Sequence, residues 1–469
     1  MHFGLHRPRK ALATVAALLL LSGCASTSPS GAFGDVRTDV AKRSGHDLRW
    51  DRNTAEDEEA RRAIDGLFAK ELTVDAAVQI ALLASPHVRT KLEDLSIAQA
   101  DLVQAGLLKN PVFSIGQTAW ESEHIDPNVF VSIEQDFLDI VTMPARKKIA
   151  KAELEATRLD VGDAVLELAA EVRTAFFNAQ AASQVVAMRR LVAEAAETSA
   201  EIAKRQHDAG NMNDLSLATE QALAAETGLE RARAEAEAAV AREELNKRMG
   251  AWGPRTNWII SQKLPELPPV EPPLESLESR AIADRLDIEA ARRQVQALDS
   301  AVSLAKATRW TGSITVGLQA GRLRNSKHLS FGPSVSVEVP LFDQRQAAIA
   351  RLEAMRRQAD NHLQELAIDV RADVRSARAR VQTARTIVET YAKVVVPLRE
   401  RIVALSQLHY DAMLLGVYQL IAAKQSEFDA YRTYIDALRD YWLARSDLER
   451  AIGSRLEPVR PAAAVKETP

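Results

Sequence analysis

A chain of 469 residues that is 46% hydrophobic but only 5% aromatic points to Ala/Leu-rich helices packed as coiled coils. A formal net charge of −4, with no basic patch interleaved with aromatics, offers no footing for a nucleic-acid partner. Past the N-terminus no run of about 18 apolar residues occurs, which excludes a helical membrane span.

The N-terminus reads as a targeting segment. His6, Arg7, Arg9 and Lys10 precede a short apolar stretch, Ala11 to Leu21, the pattern of a secretory signal. It ends in Leu21-Ser22-Gly23-Cys24, which resembles a bacterial lipobox. The resemblance implies removal of residues 1–23 and a lipid on Cys24. Cys24 is the only cysteine, so no intrachain disulfide can form. Ala25 stands where an aspartate would suggest inner-membrane retention in lipoproteins of this kind, and the outer membrane is favoured. Residues 24–70 then form a tether and extension. The Ser/Gly/Thr-rich stretch from 25 to about 36 is read as flexible, with a short helix near Glu56 to Phe68.

From Leu72 the pattern becomes regular. Thr73 is placed to cap a helix carrying Val74, Ala77, Val78, Ala81 and Leu82. Ser85-Pro86 breaks it, and a second helix is expected from about His87 to Lys109, stopped by Pro111. Phe113, Ile115 and Gln117 alternate with Ser114 and Gly116, and Val129, Val131 and Ile133 with Phe130, Ser132 and Glu134. Period two with small or polar partners predicts a β-hairpin over 111–138, wet on one face. A long helix follows from about Pro144 to Arg205, with a turn at Gly210-Asn211 and a return helix from Asp214 to Met249. A Pro-rich connector spans 251–273.

The programme then repeats over 274–453. Short helices are expected at 274–283 and 286–308, and a hairpin over 312–341. A helix of about 65 residues, roughly 100 Å at 1.5 Å per residue, leads to a tight turn at Gly416 and a return helix. Val131-Ser132-Ile133-Glu134 through Asp139 aligns with Val335-Ser336-Val337-Glu338 through Asp343. His207-Asp208-Ala209 before Gly210 resembles Tyr410-Asp411-Ala412 before Gly416, the second copy being longer by that alignment. Pro397, the one proline between Phe342 and Leu415, is expected to bend its helix. Residues 454–469 are read as a flexible tail.

The fold class is therefore mainly α with a small β part: antiparallel coiled-coil helices and four strands, duplicated internally. Four amphipathic strands cannot close a membrane barrel, and open edges are intolerable in lipid. Either the chain folds as an open sheet in water or several copies share one barrel, the better answer for apolar outer faces and a lipid anchor, with their helices arranged as a periplasmic tube.

This architecture resembles the TolC family of outer-membrane efflux channels over roughly residues 45–453. The residues that carry the resemblance are Leu72 to Val78 with Ser85-Pro86, Pro340-Leu341-Phe342-Asp343 at a strand-to-helix exit, and the turns at Gly210 and Gly416. The resemblance implies a homotrimer anchored in outer-membrane lipid: a passive exit duct working with a periplasmic adaptor protein and an inner-membrane efflux pump. Tyr410-Asp411-Ala412-Met413-Leu414-Leu415-Gly416-Val417-Tyr418 is similar to members serving heavy-metal or copper-resistance loci. In the first turn His207 stands where that family usually has tyrosine.

No Gly-rich phosphate loop, metal-spaced His/Cys cluster or G-x-S-x-G motif is present, so neither an enzyme, a metal site nor a cofactor is expected. Asp208, Asp214 and Asp411 at the helix turns are candidates for an acidic periplasmic gate, although acids also favour turns on their own account. Met212 and Met413 are read as packing residues. Glu134 and Glu338 are candidates for the lumen of the barrel. The competing reading is a non-conducting coiled-coil envelope lipoprotein, which explains the helices but not the strands.

Overall fold

The same order of elements is traversed twice. The computed structural model describes residues 27–52, 55–118, 128–271, 274–323 and 330–456. The signal segment, Cys24, the ends of both strand hairpins and the tail past 456 lie outside the described residues. In chain order come α1 (Ser30–Ser44), α2 (Ala55–Phe68), β1 (Glu71–Leu72), α3 (Val74–Ala84), α4 (Pro86–Ala105), β2 (Val112–Thr118), β3 (Asn128–Asp136), α5 (Phe137–Asp208) and α6 (Asp214–Met249). After a 3-10 turn at Gly253–Thr256 and β4 (Ile259–Ile260) follow α7 (Leu277–Asp284), α8 (Leu286–Ala307), β5 (Ile314–Leu323), β6 (Ser330–Val337) and α9 (Gln346–Thr390). A π-helical turn, Tyr391–Val395, connects to α10 (Val396–Asp411), and α11 (Val417–Ile452) closes the second copy. Two compact units result: Met1–Ala32, Asp94–Thr157 and Arg293–Ala359 form one; Phe33–Glu93, Arg158–Arg292 and Asp360–Pro469 form the other.

The first unit is built on a four-stranded antiparallel sheet in the order β2-β3-β5-β6. Each repeat supplies one hairpin, and β3 pairs with β5 to join them, Ile133 facing Leu318 and Glu134 facing Gly317. Helix α5 begins at Phe137, well before Pro144, because Asp136 accepts a hydrogen bond from the Asp139 N–H at 3.2 Å and so starts the helix at the strand end. Asp139, buried in the first turn, accepts from the Lys109 N–H at 3.2 Å and pairs with Arg146 at 2.7 Å. That reach explains why α4 ends at Ala105 rather than running on to Pro111: the chain must leave the helix early to bring Lys109 to Asp139. In the second repeat Asp343 instead accepts locally from the Arg345 N–H at 2.8 Å, and α9 starts later.

In the second unit the duplication is visible in backbone contacts. Thr73 caps α3 through its hydroxyl, which accepts from the Ala76 N–H at 3.2 Å, and Ser85 ends the helix in extended conformation. Helix α7 ends the same way at Arg285. Each break receives the end of a return helix. Gly250 (φ 69°) ends α6 against Pro86, and Gly453 (φ 78°) ends α11 against Arg285; a Cβ would come within 2.9 Å of Pro86 Cδ in the first case and 3.0 Å of Arg285 Cγ in the second. Both φ angles are left-handed, which only glycine adopts at little cost. The short and return helices therefore meet end to end in each repeat. Helix α1 replaces most of the expected tether: Val36 and Val40 are buried, Arg158 pairs with Asp39 at 2.8 Å, and Arg43 donates to the Asp284 carbonyl at 3.1 Å. Arg455, just past α11, donates its N–H to the Arg43 carbonyl at 3.1 Å, so the chain is held at least that far.

The connector between repeats is tied down along its length. Gln180 and Gln184 of α5 bond to the backbone of Lys263 and Leu264, and the Trp442 indole donates to the Pro265 carbonyl at 2.9 Å. Glu271 is its anchor: it accepts from Arg385 of α9 at 2.9 Å, from Arg445 of α11 at 3.3 Å, and from the Tyr441 hydroxyl. Burial, then the hydrogen bond to Glu271, pushes Tyr441 up to about 12. Pro397 shows its effect as a π turn: it offers no N–H to the preceding turn, and the Val396 N–H reaches back five residues to the Tyr391 carbonyl.

Two expectations follow. Glu271→Ala leaves two guanidinium groups without their shared carboxylate, and should lower stability by about 3–5 kcal/mol. It is read as earlier loss of helical circular dichroism on denaturation in detergent; an unchanged midpoint would show that the connector does not hold the helices. The second concerns Asp163 of α5. Burial, then the charge of Asp287, raises its pKa to about 7, against the pull of Arg285 and with smaller pushes from Glu167 and Asp160. A carboxyl whose folded pKa lies above its unfolded value of about 3.9 favours the folded state at low pH, and that contribution is lost as pH rises through 7. Asp163→Asn should therefore melt well above wild type at pH 8, with the gap narrowing steadily as pH falls and closing only near pH 4. A gap independent of pH would disprove the raised pKa.

Candidate functional site

The sheet separates two chemistries by residue parity. Cross-strand partners put Phe113 with Ile133, Ile115 with Val131, Val316 with Val335 and Ala320 with Phe331. Linked through Ile133 opposite Leu318, these pairs form one continuous apolar face. It is left uncovered: Ile115 is 72% exposed, Phe113 67%, Phe331 67% and Val335 66%. The alternate positions pair Ser114 with Ser132, Thr315 with Ser336, Gly317 with Ser334 and Gln319 with Gly332. Phe130 and Val112 are the apolar exceptions on this hydroxyl- and glycine-rich face. A sheet with a polar face towards a core and an apolar face towards water would be inverted; the exposed apolar face is suited to apolar surroundings.

Glu134 lies on the polar face, its Cγ close over Gly317. Glu338, just past β6, accepts from the Ser313 N–H at 2.9 Å. Both expected carboxylates therefore accompany the polar side of the sheet, though they are not brought together. The outer edges, β2 and β6, each have one strand neighbour within the chain.

The helix turns make the second region. At the first, Gly210 is left-handed (φ 76°), its N–H bonds to the His207 carbonyl at 2.8 Å and the Asn211 N–H to the Gln206 carbonyl at 2.9 Å. This is a Schellman motif. At the second the left-handed residue is Met413 (φ 59°), with the Met413 N–H on the Tyr410 carbonyl at 2.9 Å and the Leu414 N–H on the His409 carbonyl at 2.8 Å. Met413 therefore stands where Gly210 stands. Gly416 (φ −77°) is extended and precedes α11, as Asn213 precedes α6. The two turns are equal in length, and the expected extra residues came from pairing Gly210 with the wrong glycine. Counting onward from Asp208-Ala209 and Asp411-Ala412 gives the correct alignment. A methionine in this conformation costs about 1–2 kcal/mol over glycine, and it stands 93% exposed with Leu414 at 75%.

The three turn acids do different things. Asp214 receives His207 Nε2 at 2.7 Å, closing the first turn on itself. Asp411 accepts from Gln407 at 2.9 Å. Asp208 is exposed, 3.7 Å from His207 Nδ1. Arg205, three residues before Asp208, is paired with Glu201. The contact that joins the two turns was not foreseen: Ser216 Oγ lies 3.2 Å from the Tyr418 hydroxyl. Beside it a groove of about 510 Å³ runs between α5, α6 and α11, lined by apolar Val192, Ala196, Leu223, Leu420 and Phe428 and by the charged Arg189, Glu220, Glu230 and Lys424. No group of three or more His, Cys, Asp or Glu suited to a metal ion occurs among the described residues.

Residues 77–251 match the model of the outer membrane efflux protein family, and no curated protein matches the chain. Among solved structures, the Campylobacter jejuni CmeC outer membrane channel aligns with a TM-score of 0.67 at 15% identity, over 83% of this chain and 87% of that one. The Vibrio cholerae outer membrane protein VceC gives 0.67 at 16% identity, over 82% and 97%. The open state of the Neisseria gonorrhoeae MtrE outer membrane channel gives 0.64 at 18% identity, over 82% and 90%. At such identities the likeness establishes the fold, including its sheet and long helices.

Proposed function

We propose that this chain is the outer-membrane component of a tripartite efflux system: a passive, trimeric exit duct, without catalysis of its own, for solutes delivered by an inner-membrane pump through a periplasmic adaptor. The two-faced sheet carries the reading. Its apolar face is exposed and its other face is built of hydroxyls, glycines and glutamates, the division expected when one side meets lipid and the other water. Its two edges need partners, since unpaired backbone groups cannot stand in hydrocarbon. Three copies would close a twelve-stranded barrel. The matches to outer-membrane channels support the same reading.

Finer parts of the proposal rest on the sequence. Cys24 carries the lipid and anchors the chain in the outer membrane. The similarity of Tyr410 to Tyr418 to members serving heavy-metal or copper-resistance loci supports heavy-metal ions such as copper as the solute. The groove beside the Ser216–Tyr418 contact offers the adaptor a lining of apolar and charged residues, and the turns around Gly210 and Met413 form the periplasmic mouth, where Asp208 and Asp411 in three copies hold cations and help keep it shut.

The mouth is tested in planar bilayers. Wild-type trimers should conduct poorly. Asp208→Ala with Asp411→Ala removes contacts worth about 0.2–1 kcal/mol each, repeated in three copies, and should raise basal conductance while lowering cation preference. Wild-type conductance and selectivity in the double variant would return both acids to the role of turn residues. No conductance under any condition would favour the non-conducting envelope lipoprotein. For the anchor, Cys24→Ala should abolish incorporation of a fatty-acid probe and leave the precursor uncut; a labelled variant would rule out Cys24 as the acceptor.

A further inference from the structure

Where the sheet passes into helix, exposed side chains change character in a fixed order. On α5, Phe137, Ile140 and Val141 are 49%, 40% and 60% exposed; Pro144 follows, and then Lys147, Lys148 and Lys151, all exposed. Steps of three and four residues put the whole series on one side of the helix. Lys109 and Arg146 nearby are both engaged by Asp139. Lys147, Lys148 and Lys151, by contrast, have no carboxylate partner among the described residues. The second repeat shows the same order. Trp310, Leu341 and Phe342 are 65%, 71% and 93% exposed, and Arg351, exposed and also without a carboxylate partner among the described residues, occupies the position equivalent to Lys147 when Asp139 is aligned with Asp343.

We propose that this collar binds anionic phospholipid headgroups. The inference rests on the reading of the sheet as membrane-inserted and adds the chemistry of the leaflet at its helical end. The apolar side chains continue the sheet's exposed face and end at the acyl boundary. Lys148 lies about 10 Å further along the helix than Val141, at 1.5 Å per residue, which is the depth of a headgroup layer. Lysine can lay its stem back along the apolar surface and present its ammonium to phosphate, and Trp310 has the amphipathic ring that favours this interface. A base near an anionic surface strengthens attachment by about fivefold, and the duplication supplies bases on two helices of every chain.

The full chain, reconstituted into phosphatidylcholine vesicles, reports the neighbouring lipid by tryptophan quenching. Equal amounts of brominated phosphatidylglycerol or brominated phosphatidylcholine are included, and Trp310→Phe identifies the share of the signal that comes from the collar. Quenching at Trp310 should be several-fold stronger with the glycerol lipid at low salt. That preference should vanish in K147Q/K148Q/K151Q/R351Q, whose helical circular dichroism confirms that it is folded. Equal quenching by both lipids would overturn the proposal while leaving the inserted sheet intact. A preference that survives the four substitutions would overturn its assignment to these bases. Quenching by neither lipid would remove the membrane reading and the inference with it.

Discussion

A sheet with opposite solvents on its two faces cannot be satisfied by one chain in water. Burying the apolar face against a helix layer would be the usual remedy, but no helix of the described residues covers Ile115, Phe331 or Val335. The remaining remedy is an apolar solvent, and that solvent imposes a second condition: every edge N–H and C=O must be paired. Strands β2 and β6 are the two edges, and in hydrocarbon both would need a partner strand.

Much of this was legible because the signals were periodic. Alternation over 113–117 and 129–134 marked both strands of the first hairpin, and Ser85-Pro86 and Asp214 to Met249 gave helix limits that the structure reproduces. What was not legible depended on contacts distant in sequence. The Ser/Gly-rich composition before Val36 suggested a tether, but two valines four residues apart and a pair from Asp39 to Arg158 make it a helix. Pro144 looked like a helix start, while the true start was set by the carboxylate of Asp136 eight residues earlier. Glu271 lay in a segment read as irregular, and nothing local indicates that two arginines and a tyrosine converge on it.

The turn acids show how far a site can be read from residue type alone. Asp208, Asp214 and Asp411 were expected to act together, yet within one chain each has separate company: His207 for Asp214, Gln407 for Asp411, open solvent for most of Asp208. The glycine at 416 drew the eye because glycine commonly marks a left-handed turn. Its duty is instead to begin a helix, with its N–H held by the Gln419 side chain at 3.0 Å. The residue under strain is a methionine, which no composition rule would select.

The π turn at Tyr391–Val395 settles a matter of phase. Beside the buried Val370 and Ala377, one series of buried residues on the second long helix runs Val374, Val381 and Val388, then Val396 and Val403. The step is seven residues everywhere except across the π turn, where it is eight. A seven-residue step keeps a helix face on a partner that coils with it, and one surplus residue would rotate every later side chain about 100° off the seam. A single wide turn absorbs that surplus. Val396 and Val403 thereby stay on the stripe that Val374 began, and a skip in the repeat that would otherwise split the helix into two misaligned rods passes without loss of register.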